Sequence, residues 1–311
     1  MKSMIYFALA VTLVFTSAAP EFGLPEEAST TFSCDDVTEI PHLECEALVA
    51  LYNNTNGPGW TNNTNWLQSL YPHDWYGVWV GGGSVIYLYI DDNFLTGSLP
   101  PEIGNLTHLE QLTLNDNQLS GSIPMELWNL PGLSYLLIRN NKLSGTIPSE
   151  IGNLTNLVNF DLSSNQLTGS IPVELASLPI VFLSLNDNQL SGDISSELGN
   201  LTSLKKLDLS GNHLSGCIPP ELGNLTELDI LHLQENWLRG DVPETFVNLV
   251  NLWNPGQYWT DGLDLDYNRL NVPEDYPNLA DPLQFFLYQK DPDWHLRQII
   301  VQNFFLPVIH H

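Results

Sequence analysis

Positive charge is scarce in this chain, with 9 Lys and Arg against 36 Asp and Glu in 311 residues and a net charge of −27. Between Pro20 and Ser84 there is no Lys or Arg at all, while nine acids occur. Nucleic acid and anionic membrane surfaces are thereby excluded as partners, because binding them relies on Lys and Arg to neutralise phosphate. A cationic or neutral partner is accommodated more easily. Cysteine is also scarce, with 3 residues and no paired CxxC. The motifs HExxH, GxSxG and GxxxxGK[ST] are missing as well, so no catalytic residue, cofactor or metal is assigned. Beyond the N-terminus no apolar run approaches bilayer length, and the ending QIIVQNFFLPVIHH is broken by Gln302, Asn303 and Pro307.

What the chain has in abundance is repetition. A unit of 24 residues starts at Val85 and again at Leu109, Leu133, Leu157, Ile180, Leu204 and Leu228, with one interval of 23. A fixed period of this length marks a solenoid, one continuous domain that needs no second core. Leucines at alternate places, such as Leu112 and Leu114, put one face of a short strand inward and leave the residues between them in solvent. A column of Asn93, Asn117, Asn141, Asn165, Asn188, Asn212, Asn236 and Asn268 sits where the chain turns away from that strand, and its amides suit buried backbone groups. The glycines from Gly97 through Gly121 to Gly240 mark a backbone of positive φ or close approach. A lone unit buries too little apolar surface to offset its backbone entropy, so each must lean on its neighbours.

The unit LxxLxLxxNxLxGxIPxxLGNLxx, seen in LSYLLIRNNKLSGTIPSEIGNLTN from Leu133 to Asn156, resembles the plant-type leucine-rich repeat, and the resemblance covers roughly residues 34–296. It implies an α/β repeat solenoid: a curved right-handed superhelix with a parallel concave sheet, a second short sheet formed by the Ile-Pro segments, and helical N- and C-caps. The front end ECEALVALYNNTNGPGW with WYGV, and the back end GLDLDYNRL with KDPDW, are similar to those of secreted bacterial and algal proteins carrying this repeat. Plant members have cysteines two before the Trp and two after the Val of WxGV. His73 and Val80 stand there in this chain, so the usual disulfide of that cap is absent. Some plant members inhibit cell-wall-degrading enzymes and a few bind ice.

The expected organisation starts with a secretory signal peptide over 1–19: Lys2, an apolar core from Met4 to Phe15, then Thr16-Ser17-Ala18-Ala19. Residues 20–33 read as a flexible leader. An N-terminal cap follows over 34–84, in which Leu43, Ala47, Leu48 and Leu51 fall at helical spacing behind Pro41, and Asn56-Gly57 stops the helix. Trp60, Trp66, Trp75, Tyr76 and Trp79 read chiefly as an aromatic seal over the first repeat. Cys34 and Cys45 flank the start of this cap and can bridge in an oxidising compartment. Cys217 replaces the usual Ser or Thr and reads as a free thiol on the second sheet. Seven repeats fill 85–251. An insertion and a degenerate eighth repeat, with Leu263, Leu265, Asn268 and Leu270, occupy 252–276. A C-terminal cap and tail take 277–311, where Asp281-Pro282 opens a helix burying Leu283, Phe286 and Leu287.

The solvent-facing residues of the concave sheet fall in columns. One runs Tyr89, Thr113, Leu137, Asp161, Ser184, Asp208, His232, Asp264; another runs Tyr87, Gln111, Tyr135, Asn159, Phe182, Lys206, Ile230, Gly262. Tyr87, Tyr89, Tyr135, Leu137 and Phe182, with Arg139 in the next column, have the makeup of an interface hot spot. Asp208, His232 and Ser210 fall close together, but the repeat set that spacing, not a reaction. Asp161 and Asp208 are two rungs apart, and Asp261, Asp264 and Asp266 read either as a calcium trio or as a solvated acidic face. Sequons stand at Asn53, Asn62, Asn105, Asn153, Asn200 and Asn224; NLT also belongs to the repeat itself. The sequence therefore reads as a secreted, monomeric, non-catalytic recognition protein. Its concave face, with Tyr87, Tyr89, Tyr135, Leu137, Arg139, Phe182, Asp208 and His232, would bind a protein or polysaccharide. The rivals are an inhibitor of a cell-wall-degrading enzyme, an ice-binding protein using Ser98, Ser122, Thr146 and Ser170, and a glycan or peptide hydrolase.

Overall fold

Alternation of buried leucines with polar residues produces one short strand per unit, and the strands stack. The computed structural model describes residues 32–252, 262–273 and 276–292. Its main feature is a nine-stranded sheet. The sheet begins with an antiparallel hairpin of β1 (Val78–Gly81) and β2 (Ser84–Tyr89). Every later strand is parallel to the one before, from Gln111–Thr113 to Leu263–Asp264. The inward residues, among them Leu88, Leu112, Leu136, Phe160, Leu183, Leu207, Leu231 and Leu263, are buried in a single file. The eighth unit therefore joins the array as the sequence suggests.

The asparagine column closes the turn after each strand. Asn165 shows how: its Nδ2 donates to the carbonyls of Ile138, Leu162 and Ser163, and its Oδ1 accepts from Leu143 N–H at 3.0 Å. One amide thus ties its own turn to the preceding rung. The residue just before each asparagine takes a left-handed conformation, at Asp92, Asp116, Asn140, Ser164, Asp187, Gly211, Glu235 and Tyr267. Short polar residues dominate there because they tolerate positive φ. The glycine column has positive φ too, 82° at Gly169, where an added Cβ would lie 2.9 Å from Thr146 Cγ2.

Behind the long sheet runs the second one, in pieces. Thr96–Gly97, Gln118–Ser122 and Lys142–Ser144 form the first, Thr168–Gly169, Gln189–Asp193 and His213–Ser215 the second, and Arg239–Gly240 with Arg269–Leu270 the third. Single bridges from Thr146 to Thr168 and from Cys217 to Arg239 join them. The strands stop short of the Ile-Pro pairs expected to form them, because proline brings no N–H to a ladder. Cys217 lies on this sheet as an exposed free thiol. Each of the seven full units then makes a five-residue 3₁₀ turn, as in Ser149–Asn153, entered through proline or serine.

The N-terminal cap is built on α1 (His42–Asn54), which buries Glu44, Cys45, Ala47, Leu48 and Leu51. Leu43 is a correction: it lies one place off this stripe and is exposed. Glu44 takes the buried place, and its Oε2 accepts from Val85 N–H at 2.7 Å. Cys34 and Cys45 form a disulfide that ties the chain entering the cap to α1. Where the plant pattern would have cysteine, His73 bonds through both its backbone N–H and Nδ1 to Glu39. Tyr52, Trp60, Trp66 and Trp75 form a chain of ring contacts 4.9 to 5.7 Å apart. Each of the three indoles donates to a backbone carbonyl, of Thr55, Tyr76 and Ser69.

At the other end α2 (Pro282–Lys290) is capped by Asp281, whose carboxylate accepts from Gln284 N–H. Phe286 and Leu287 are buried as expected, whereas Leu283 is half-buried and Gln284 fills in beside them. Lys290 donates to the Leu252 carbonyl at 2.5 Å, and burial lowers its pKa. The expected signal peptide, nearly all of the expected leader, residues 253–261 of the stretch read as an insertion and the tail after 292 lie outside the described residues.

Candidate functional site

The solvent face of the long sheet carries the residues singled out above, and the backbone register fixes their neighbours. Tyr87 pairs with Gln111, then Tyr135, Asn159, Phe182, Lys206 and Ile230. Tyr89 heads the parallel column of Thr113, Leu137, Asp161, Ser184, Asp208, His232 and Asp264. Both columns are as the 24-residue period requires. Tyr87, Tyr89, Tyr135 and Leu137 are half-buried and Phe182 is 42% exposed. None of them is turned into the core.

Trp79 corrects the reading of the cap aromatics. It is 59% exposed and pairs with Tyr87 across the β1–β2 hairpin. Residues paired across a ladder share a face, so Trp79 extends the aromatic column instead of sealing leucines. Tyr76 is likewise exposed, while Trp60, Trp66 and Trp75 are buried as expected. Tyr87 and Tyr89 stack with centroids 5.7 Å apart at 12°, and the Tyr89 hydroxyl donates to Gln111 Oε1 at 2.5 Å. Burial raises the pKa of Tyr89, and the neighbouring Tyr87 and Tyr135 add to the shift.

Charge on this face is arranged by rung. Asp91 is exposed, and its carboxylate accepts from Asn115 N–H at 2.6 Å and Thr113 Oγ1 at 3.2 Å. Asp161 accepts from the backbone N–H and the hydroxyl of Ser163. Arg139 reaches Asp116 at 3.5 Å.

Farther along, Asp208 receives Ser210 Oγ at 2.7 Å on one oxygen, with His232 Nδ1 at 3.6 Å and Lys206 Nζ at 3.3 Å from the other. Burial alone would push this carboxyl up. The nearby His232 ring, the Lys206 ammonium and the Ser210 hydroxyl outweigh it and hold the pKa at about 2. A hydrolytic triad needs the imidazole between hydroxyl and carboxylate; here the carboxylate sits in the middle and receives the hydroxyl itself. Asp208 and His232 are buried beside each other, whereas the tyrosines are only half-buried.

Of the acidic trio, Asp261 lies outside the described residues, and Asp291 joins Asp264 and Asp266, with one oxygen of each within 4.8 Å of the others. Asp291 accepts from Leu265 N–H and Asp264 from Asp266 N–H, so two of the three carboxylates serve the backbone where the chain after α2 meets the eighth unit. On the second sheet Ser98, Ser122, Thr146 and Ser170 are all exposed, but the column continues as Asp193, Cys217 and Asp241. Of the sequons, Asn153, Asn200 and Asn224 are exposed at the ends of 3₁₀ turns, Asn53 is exposed near the end of α1, and Asn62 and Asn105 are half-buried.

Models of the leucine-rich repeat match residues 84–143 and, separately, 156–178, 180–201 and 203–225. No curated protein sequence matches the chain. Among solved structures, that of PEPR1-AtPEP1 is 30% identical with a TM-score of 0.66, over 77% of this chain and 36% of that one. The ectodomain of the Arabidopsis receptor kinase HAESA, in complex with an N-terminally extended IDA peptide hormone, is 31% identical with a TM-score of 0.62, over 75% of this chain and 39% of that one. A plant ice-binding protein is 27% identical with a TM-score of 0.61, over 75% of this chain and 81% of that one. The chain thus spans well under half the length of the PEPR1 and HAESA chains. Among the described residues no helix is long and apolar enough to cross a membrane.

Proposed function

We propose that this chain is a secreted, non-catalytic recognition protein that holds an extended peptide segment of a protein partner against the solvent face of its long sheet. The observation that carries this reading is the aromatic column Trp79, Tyr87, Tyr135 and Phe182, which the sheet leaves facing solvent in one file, on adjacent strands at its start and on every second strand after that. Aromatic side chains that keep a rigid ring in water are the anchors of interfaces. The solved relatives in complex with peptides support a peptide occupant. A polysaccharide remains the alternative for the same rings. Ice binding ranks lower because the hydroxyl column ends at Asp193. Glycans on Asn153, Asn200 and Asn224 would lie on the turn side and leave the long sheet open.

The test is selection of binders from a random peptide display library, followed by titration against variants. Tyr135→Ala and Phe182→Ala should each weaken the selected peptides by about 1 to 3 kcal/mol, while Thr155→Ala on the turn side should leave them unchanged. Unchanged affinity in both aromatic variants would move the site off this face.

A further inference from the structure

The N-terminal end of the long sheet combines two properties that a general recognition face does not need. The first is ring geometry. Trp79 is opposite Tyr87, Tyr87 stacks on Tyr89, and Tyr135 follows two rungs on, so several π-faces and hydroxyls bound one shallow surface. The second is the sign of its charge. No Lys or Arg occurs from residue 3 to residue 138, and Arg139, the first, is paired with Asp116. Asp91 and Asp161 flank the rings, and backbone and hydroxyl donors hold both carboxylates in position.

From this juxtaposition we infer that the Trp79, Tyr87, Tyr89 and Tyr135 surface takes the guanidinium or ammonium side chains of a basic peptide, with Asp91 and Asp161 as counter-charges. The inference rests on the reading of this face given above and specifies its ligand. A cation over a Trp or Tyr face is attracted by the ring quadrupole, and the attraction grows as the site dries. Nearby carboxylates add attraction that a neutral sugar cannot use, and a surface so depleted in cations steers a basic partner in. Arginine suits the site better than lysine because its planar group both stacks on a ring and pairs with a carboxylate.

The experiment titrates a labelled Arg-Gly repeat peptide, and the same peptide with citrulline for arginine, into the full chain by fluorescence anisotropy. Citrulline keeps the shape and removes the charge. The arginine peptide should bind at least about 10-fold more tightly than its citrulline form, and Trp79→Ala and Tyr87→Ala should each weaken it by about 3- to 30-fold. Trp79 is exposed, so its replacement leaves the core packed, and an unchanged melting temperature confirms that. Asp241→Asn, on the second sheet, controls for general charge and should change nothing. Equal binding of both peptides, no binding of either, or loss of affinity in Asp241→Asn equal to that in Trp79→Ala would overturn the inference. Library peptides that carry no excess of Lys or Arg yet lose affinity for Tyr135→Ala would overturn it while leaving the recognition face in place.

Discussion

At the scale of single residues, Asp208 is where the fold has committed most to one charge state. Its folded pKa of about 2 lies below the ordinary carboxylate value. A depressed carboxylate contributes stability that is present above the unfolded pKa and is lost as pH falls through the folded one. The window here runs from about pH 4 down to about pH 2, and a shift of nearly two units corresponds to about 2 kcal/mol. Denaturant unfolding of Asp208→Asn should accordingly show a shallower loss of stability over that window than the parent chain. Parallel pH curves for the two proteins would mean that the carboxylate is no better placed folded than unfolded. The same cluster explains why His232 and Ser210, though close, do not read as chemistry. Proximity came from the period of the repeat, and the bonding order came from side-chain reach that no spacing reveals.

At the scale of the element, the repeating rung was largely legible. Period and alternation fix the strand, its register and the identity of every neighbour, so both solvent columns could be written from the sequence. The glycine and asparagine columns were legible as backbone devices for the same reason. The parts that were not legible lie where the period does not reach. Trp79 sits on an antiparallel strand before the first unit, and nothing in a count of 24 assigns it a face. Leu43 needed the helix phase to within one residue, and the buried Glu44 broke the apolar pattern used to set that phase. The left-handed residue before each asparagine left only a weak sign, the frequency of Asp, Asn, Ser and Gly there. The rung also makes a quantitative claim. Asn165→Ala orphans the buried Leu143 N–H, whereas the carbonyls of Ile138, Leu162 and Ser163 each keep a second donor in Asn141 Nδ2, Asn188 Nδ2 and Asn140 N–H. One buried group that water cannot reach costs about 1 to 3 kcal/mol. The substitution should lower unfolding free energy by about 1 to 3 kcal/mol in chemical denaturation, and an effect below about 0.5 kcal/mol would show that water replaces the amide.

At the scale of the whole molecule, each repeat is stabilised through its neighbours, so unfolding is a contest between nearest-neighbour packing and whatever pushes the rungs apart. The largest distributed push is charge, 36 acids against 9 bases. The described ion pairs with Lys or Arg are Arg139 with Asp116 and Lys206 with Asp208, too few to reverse the sign. Salt screens exposed charges beyond roughly 10 Å at 0.1 M. It therefore relieves repulsion between acids on different rungs more than it weakens two close pairs. Raising NaCl from about 10 mM to about 150 mM should stabilise the chain, by about 1 to 2 kcal/mol or a few degrees in the midpoint of a protein this size. The same addition should weaken a basic ligand at the Trp79 end, because that attraction is screened too. Opposite responses of stability and binding to one variable separate the two roles of the charge: acids spread along the coil act against its stacking, and acids beside the rings act on what approaches them.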